Sequence, residues 1–274
     1  MTYAPPAATT PSSQADSYAV IDDARIRYRV DGPHGAPFLV LSNSLGTNLD
    51  MWEPQMAAFS RRFRVLRYDS RGHGHSEVTP GPYSIERLAR DVLALFDEIR
   101  IDRAHFCGIS MGGMTGMWLG IHAPQLICRL VLSNTAPRIG SAERWNSRIE
   151  AVNTNGVAGV ADALMEVWFS ERFRKSSPDA VRQTRAMLIA TSAKGYVASC
   201  AAVRDMDQWA ALPRIDRPTL IVTGAHDAST PAAEGHRMAG LIPGAKLVEL
   251  DAAHISNVEA AERFTAEVLA FLDH

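Results

Sequence analysis

The sequence predicts an α/β fold: a mostly parallel central sheet with helices on both faces and a helical insertion. Three observations carry that prediction. Short unbroken apolar runs, such as Phe38-Leu39-Val40-Leu41, alternate with stretches of helical period, the pattern of parallel strands covered on both faces. A serine stands between two glycines in Gly108-Ile109-Ser110-Met111-Gly112, directly after one such run. Strand signals then stop at about Ala136 and resume at Pro218, as when a helical segment interrupts a sheet.

Residues 18–30 read as two short strands around Asp22-Asp23, closed by the breaker cluster Asp31-Gly32-Pro33. A continuous apolar strand at 38–42 precedes a helix at 51–59 and a strand at 63–68. Residues 84–99 form an amphipathic helix, 104–109 another apolar strand, and Met111 opens the next helix before a strand at 130–132. Helical stretches follow at 142–152, 156–169, 178–191 and 193–209. Sheet pattern returns at 218–222, then a helix at 231–241, a strand at 246–250 and a last helix at 258–272. Residues 17–136 and 214–274 thus form one core, and 137–213 a helical lid at the sheet's catalytic edge, where long insertions are often functional. Residues 1–16, rich in Pro, Ala, Ser and Thr, read as a disordered arm without the basic and apolar regions of a secretory signal.

With 274 residues and 46% hydrophobic content the chain can bury a large core. A net charge of −2 leaves no basic footprint for nucleic acid, so a small-molecule partner is expected. The three cysteines, Cys107, Cys128 and Cys200, are dispersed in apolar stretches, which argues against a disulfide framework or metal site and for a reducing, cytoplasmic compartment. No apolar run approaches the ~20 residues of a membrane span.

A serine hydroxyl is a weak nucleophile at neutral pH. It needs a histidine base, and the base needs an acid that fixes its tautomer. Both belong at the carboxyl ends of strands, where ligands gather in such sheets. Asp227 follows the strand at 218–222, and His254 follows the one at 246–250, so Ser110, Asp227 and His254 form the candidate triad. His226 adjoins Asp227 too closely in sequence to partner it across a site. Asp251 reads as a turn residue. His73 and His75 sit in a glycine-rich turn of the kind that serves backbone packing. The strand before Asn134 ends without a carboxylate, which removes the commonest alternative place for the acid. The oxyanion would be held by the N–H of Met111 and by that of Leu45, where Gly46 permits the turn.

With these residues placed, the chain from about Tyr18 onward resembles the α/β-hydrolase superfamily. The resemblance rests on Asp69-Ser70-Arg71-Gly72-His73-Gly74-His75-Ser76, the serine turn, and the contexts of Asp227 and His254. Within that superfamily it is most similar to 3-oxoadipate enol-lactonases. That likeness is carried by Ser42-Asn43-Ser44-Leu45-Gly46-Thr47 and by Ser133-Asn134-Thr135-Ala136-Pro137-Arg138-Ile139-Gly140 leading to Trp145. Ala253 before the histidine and Ala261 after it depart from common usage without touching the chemistry.

The resemblance implies a small lactone with a carboxylate arm as substrate, 3-oxoadipate as product of aromatic catabolism, and no metal or organic cofactor. The carboxylate needs a cation in a water-poor pocket. Arg138, where the chain leaves the sheet for the lid, is the first candidate, Arg148 is its rival, and Trp145 would cover the ring. A carboxylesterase, a carbon-carbon bond hydrolase, a perhydrolase or a ligand receptor could share the fold. A buried cation is the feature a neutral-ester enzyme would not need.

Overall fold

The computed structural model describes residues 16–273. β1 (Ser17–Ile21) and β2 (Ala24–Asp31) form a hairpin through Asp22, which adopts φ 49°. β3 (Phe38–Ser42) leads through a 3₁₀ turn (Leu49–Trp52) into α1 (Glu53–Phe59), so the helix expected at 51–59 begins as a tighter turn, capped by the Asn48 side chain. β4 (Arg64–Tyr68), α2 (Ile85–Ile99), β5 (Ala104–Ile109), α3 (Met111–His122) and β6 (Ile127–Ser133) follow. The interrupting segment holds α4 (Ala142–Asn155), α5 (Ala158–Trp168), α6 (Glu171–Ser176), α7 (Pro178–Ala190) and α8 (Ala193–Arg204). β7 (Thr219–Gly224), α9 (Ala232–Leu241) and β8 (Lys246–Leu250) complete the alternation. The last expected helix is divided into α10 (Ser256–Glu259) and α11 (Ala261–Leu272), because Ala260 leaves helical geometry at φ −118°, ψ 44°.

The strands form one sheet in the order β1-β2-β4-β3-β5-β6-β7-β8. β1, β2 and β4 pair antiparallel, and every pairing from β4 through β8 is parallel. α3 lies over Phe106 and Leu130, and α9 over Ile221 and Thr223, residues that share one face by register. β7 is buried along its whole length, so the other face is covered too. There α1 packs against α11, with Trp52 and Phe264 ring to ring at 6.2 Å. Burying both faces is what lets these strands be apolar at every position.

α2 shows the same economy at helix level. Ser84 caps it by accepting the Arg87 N–H, and Leu88, Val92, Leu95 and Phe96 form its buried stripe. Each such side chain contributes about 1.5–3 kcal/mol on burial.

The expected arm at 1–16 lies outside the described residues except for Asp16. That residue corrects the boundary: its carboxylate pairs with Arg27 at 2.9 Å and Arg29 at 2.6 Å, fixing it to the sheet edge. Cys107, Cys128 and Cys200 are free thiols. No single helix among the described residues is long and apolar enough to cross a membrane.

Candidate active site

Ser110 sits between β5 and α3 at φ 55°, ψ −115°, a conformation that costs a non-glycine residue free energy and persists only where its surroundings enforce it. They do so from both sides. The Ser110 N–H bonds the Ser133 carbonyl at 3.0 Å, and its own carbonyl accepts from Thr135 Oγ1 at 2.7 Å. The flanking glycines are required by crowding: a Cβ on Gly108 would lie 2.2 Å from the Gly112 carbonyl oxygen, and one on Gly112 2.2 Å from that of Ser42. Ser110 Oγ makes no hydrogen bond among the described residues and faces the cavity it helps to line.

Asp227 hangs in the loop after β7 with both carboxylate oxygens occupied. Oδ1 accepts the N–H groups of Ser229 and Thr230 at 2.8 and 2.9 Å. Oδ2 accepts Thr230 Oγ1 at 2.7 Å, Asn134 Nδ2 at 3.0 Å and His254 Nδ1 at 2.8 Å. Burial opposes ionisation of this carboxyl, but the attraction of His254 and the hydrogen bonds from His254 and Thr230 outweigh it, and the pKa falls to about 2. An ionised Asp227 holds the proton on His254 Nδ1 and leaves Nε2 to act as base. His254 and Ser110 line the same cavity.

The Leu45 and Met111 N–H groups have no hydrogen-bond partner among the described residues, which leaves both free to donate to an oxyanion. The loop carrying Leu45 is braced on several sides. Asn43 Nδ2 donates to the Tyr68 carbonyl, Trp52 Nε1 donates to Asn43 Oδ1, and the Asn43 carbonyl accepts the Gly112 N–H. Gly46, at φ 82°, donates its N–H to His73 Nε2 at 2.9 Å. His73 Nδ1 lies 3.2 Å from the Arg71 carbonyl, so the ring is the neutral Nδ1–H tautomer. Burial, only partly countered by that carbonyl and by Asp69, holds its pKa below the ordinary histidine value. His73 thus meets the oxyanion loop and does not line the cavity.

Ser110 and His254 meet at a cavity walled on one side by the sheet loops and on the other by α4, α5 and α8. Trp145 and Trp168 form apolar wall, and Trp145 Nε1 is tied to the Ile139 carbonyl at 2.6 Å. Arg148 and Arg144 also line it, and no carboxylate among the described residues does. Arg148 stacks over the Trp145 ring at 4.9 Å. Arg138 is a correction: its side chain is 61% exposed, pairs with Asp207 at 3.6 Å, and does not line the cavity. The chain turns at Asn134, φ 43°, and again at Gly140, which carries position 138 outward and brings α4 over the serine.

His226 and Asp251 bond each other on the surface, away from the triad. Sequence reasoning passed over Asn134, Tyr196, Trp168 and Glu259. Glu259 accepts the Ala253 N–H, next to His254, and the backbone and side chain of Ser170 after α5. Beside it the Ile255 N–H bonds the Trp168 carbonyl at 3.1 Å, so the helical segment is fastened to the histidine loop. Helical spacing of Trp145 and Arg148 was the one available signal for the cavity wall.

A family model described as the alpha/beta hydrolase fold matches residues 37–261. Two relatives from Acinetobacter baylyi, both named 3-oxoadipate enol-lactonase, are 41% and 39% identical over 91% and 86% of this chain and 94% and 88% of their own. The crystal structure of the enol-lactonase from Burkholderia xenovorans LB400 superposes with a TM-score of 0.93 at 46% identity, covering 94% of this chain and 100% of that one. With the serine turn, the buried carboxylate and the sheet order all in place, the chain belongs to the α/β-hydrolase fold family and counts 3-oxoadipate enol-lactonases among its relatives.

Proposed function

We propose that the protein is a serine hydrolase that opens 3-oxoadipate enol-lactone to 3-oxoadipate in aromatic catabolism. The observation that carries this reading is that relatives of that name align over most of the chain. A cavity lined by two arginines and, among the described residues, no carboxylate supports an anionic substrate.

In this reading Ser110 Oγ adds to the ring carbonyl carbon as its proton passes to His254 Nε2, and the Leu45 and Met111 N–H groups hold the oxyanion. Collapse breaks the ring C–O bond and forms the acyl-serine. The departing enolate takes the proton from His254 and tautomerises to the ketone, which disfavours reclosure. Water then adds to the ester as His254 removes its proton, and Ser110 leaves with that proton as the carboxylate is released. Asp227 stays ionised throughout. Arg148 replaces Arg138 as the cation for the substrate's carboxylate arm, Trp145 covers the ring, and residues 137–213 serve as the lid. Three dispersed free cysteines favour a cytoplasmic setting.

Spectrophotometric assay of enol-lactone opening tests the reading. Wild-type protein should turn the lactone over, and Ser110→Ala should lose at least about 10³-fold in kcat. Equal, slow rates for both proteins would remove it.

A further inference from the structure

Tyr196, on α8, is fully buried at 0% exposure, yet its hydroxyl has no hydrogen-bond partner among the described residues. Buried tyrosine hydroxyls nearly always find one. The residue lines the cavity, and its ring backs the oxyanion loop: a Cβ at Gly46 would lie 2.9 Å from Tyr196 Cε2.

The surroundings indicate what is missing. Arg148 lies close enough to act on the hydroxyl oxygen both by charge and as a donor, without a formed hydrogen bond to it, and has no carboxylate partner among the described residues. Cys200, on the same helix, is pushed up to about 12 by burial, so it contributes no thiolate. The hydroxyl proton thus has no acceptor and the guanidinium no carboxylate among the described residues, so the wall presents two neighbouring donors. A ligand suited to both carries an anion with two acceptor atoms.

We propose that Tyr196 Oη–H and Arg148 together hold the carboxylate arm of the substrate, and that the tyrosine hydroxyl is a specificity determinant selecting a carboxylate over a neutral group. The proposal rests on the anionic substrate of the preceding section. One residue then serves both ends of the substrate, the hydroxyl binding the arm while the ring supports the loop that carries Leu45.

Tyr196→Phe removes only the oxygen. It should raise KM for the enol-lactone about tenfold or more, the effect of losing one charge-assisted hydrogen bond, with little change in kcat. KM for p-nitrophenyl acetate should not move, and the melting temperature should hold or rise, because no internal bond is lost. In an Arg148→Met background the same change should cost the lactone KM much less. Calorimetric titration with succinate gives a readout independent of turnover: wild type should bind it at least about fivefold more tightly than Tyr196→Phe. Equal shifts for lactone and neutral ester, or succinate binding indifferent to the hydroxyl, would overturn the proposal. Succinate binding that depends on Tyr196 in a protein that leaves the lactone intact would uphold the subsite and overturn the substrate.

Discussion

Asn134 donates its side-chain amide to Asp227 Oδ2 at 3.0 Å, the oxygen that also receives His254 Nδ1 at 2.8 Å. The amide is held in turn: Nδ2 also reaches the Ala253 carbonyl at 3.1 Å, and Oδ1 accepts Ser133 Oγ and Ser256 Oγ. An uncharged residue at the end of β6 therefore positions the acid that follows β7.

Replacing Asn134 by Asp sets a second carboxylate against Asp227, and two carboxyls at that distance share a proton. Asp227 would lose its low pKa, and kcat at neutral pH should fall about tenfold or more. The acid limb of the kcat profile should move upward in pH, whereas Asn134→Ala should lower kcat with a smaller movement. A pH profile of both variants against wild type checks this.

His73→Ala removes the acceptor of the Gly46 N–H and frees the loop that aims Leu45. The expected loss is in kcat, about 10–100-fold, since a misplaced oxyanion donor acts on the transition state. KM should stay within about threefold. Steady-state kinetics with any activated ester suffices, and a loss confined to KM would contradict the bracing role.

Arg148→Met should raise KM for the enol-lactone at least about tenfold. Arg138→Ala should leave it nearly unchanged, because an exposed pair with Asp207 is worth little. Measuring both variants side by side decides which cation meets the substrate.

Burial, together with nearby Arg129, lowers the pKa of His105 to about 4, and its ring packs edge-on to Phe63 at 5.6 Å. The unfolded chain binds this proton near 6.5 and the folded one does not. Stability from this group is therefore full above about pH 6.5 and is lost as pH falls toward 4. His73 adds in the same direction. Thermal melts from pH 7 to 4 should show the decline, and His105→Leu should flatten it.

Element order and the triad were legible because they are local: apolar runs mark the strands, and Ser110, Asp227 and His254 each follow one. Elements lacking an apolar stripe were not. α6, with sequence ERFRKS, has no buried residue to betray it, and the break at Ala260 carries no proline or glycine. Partnership across the chain was equally silent. Asn134 bonds a residue 93 positions away and Gly46 meets Tyr196 only through the fold. Arg138 misled because proximity to the strand end in sequence says nothing of the side on which the chain leaves.

The fastening of Ser170 and Trp168 to Glu259 and Ile255 limits how this enzyme can breathe. Swinging the helical segment outward at that seam would drag the histidine loop with it and dismantle the relay at the moment of opening. Arg144, on α4, is exposed to solvent and also lines the cavity. On the function proposed above, a cation there meets the anionic substrate on its way in and the doubly charged product on its way out, so capture and escape compete for one side chain.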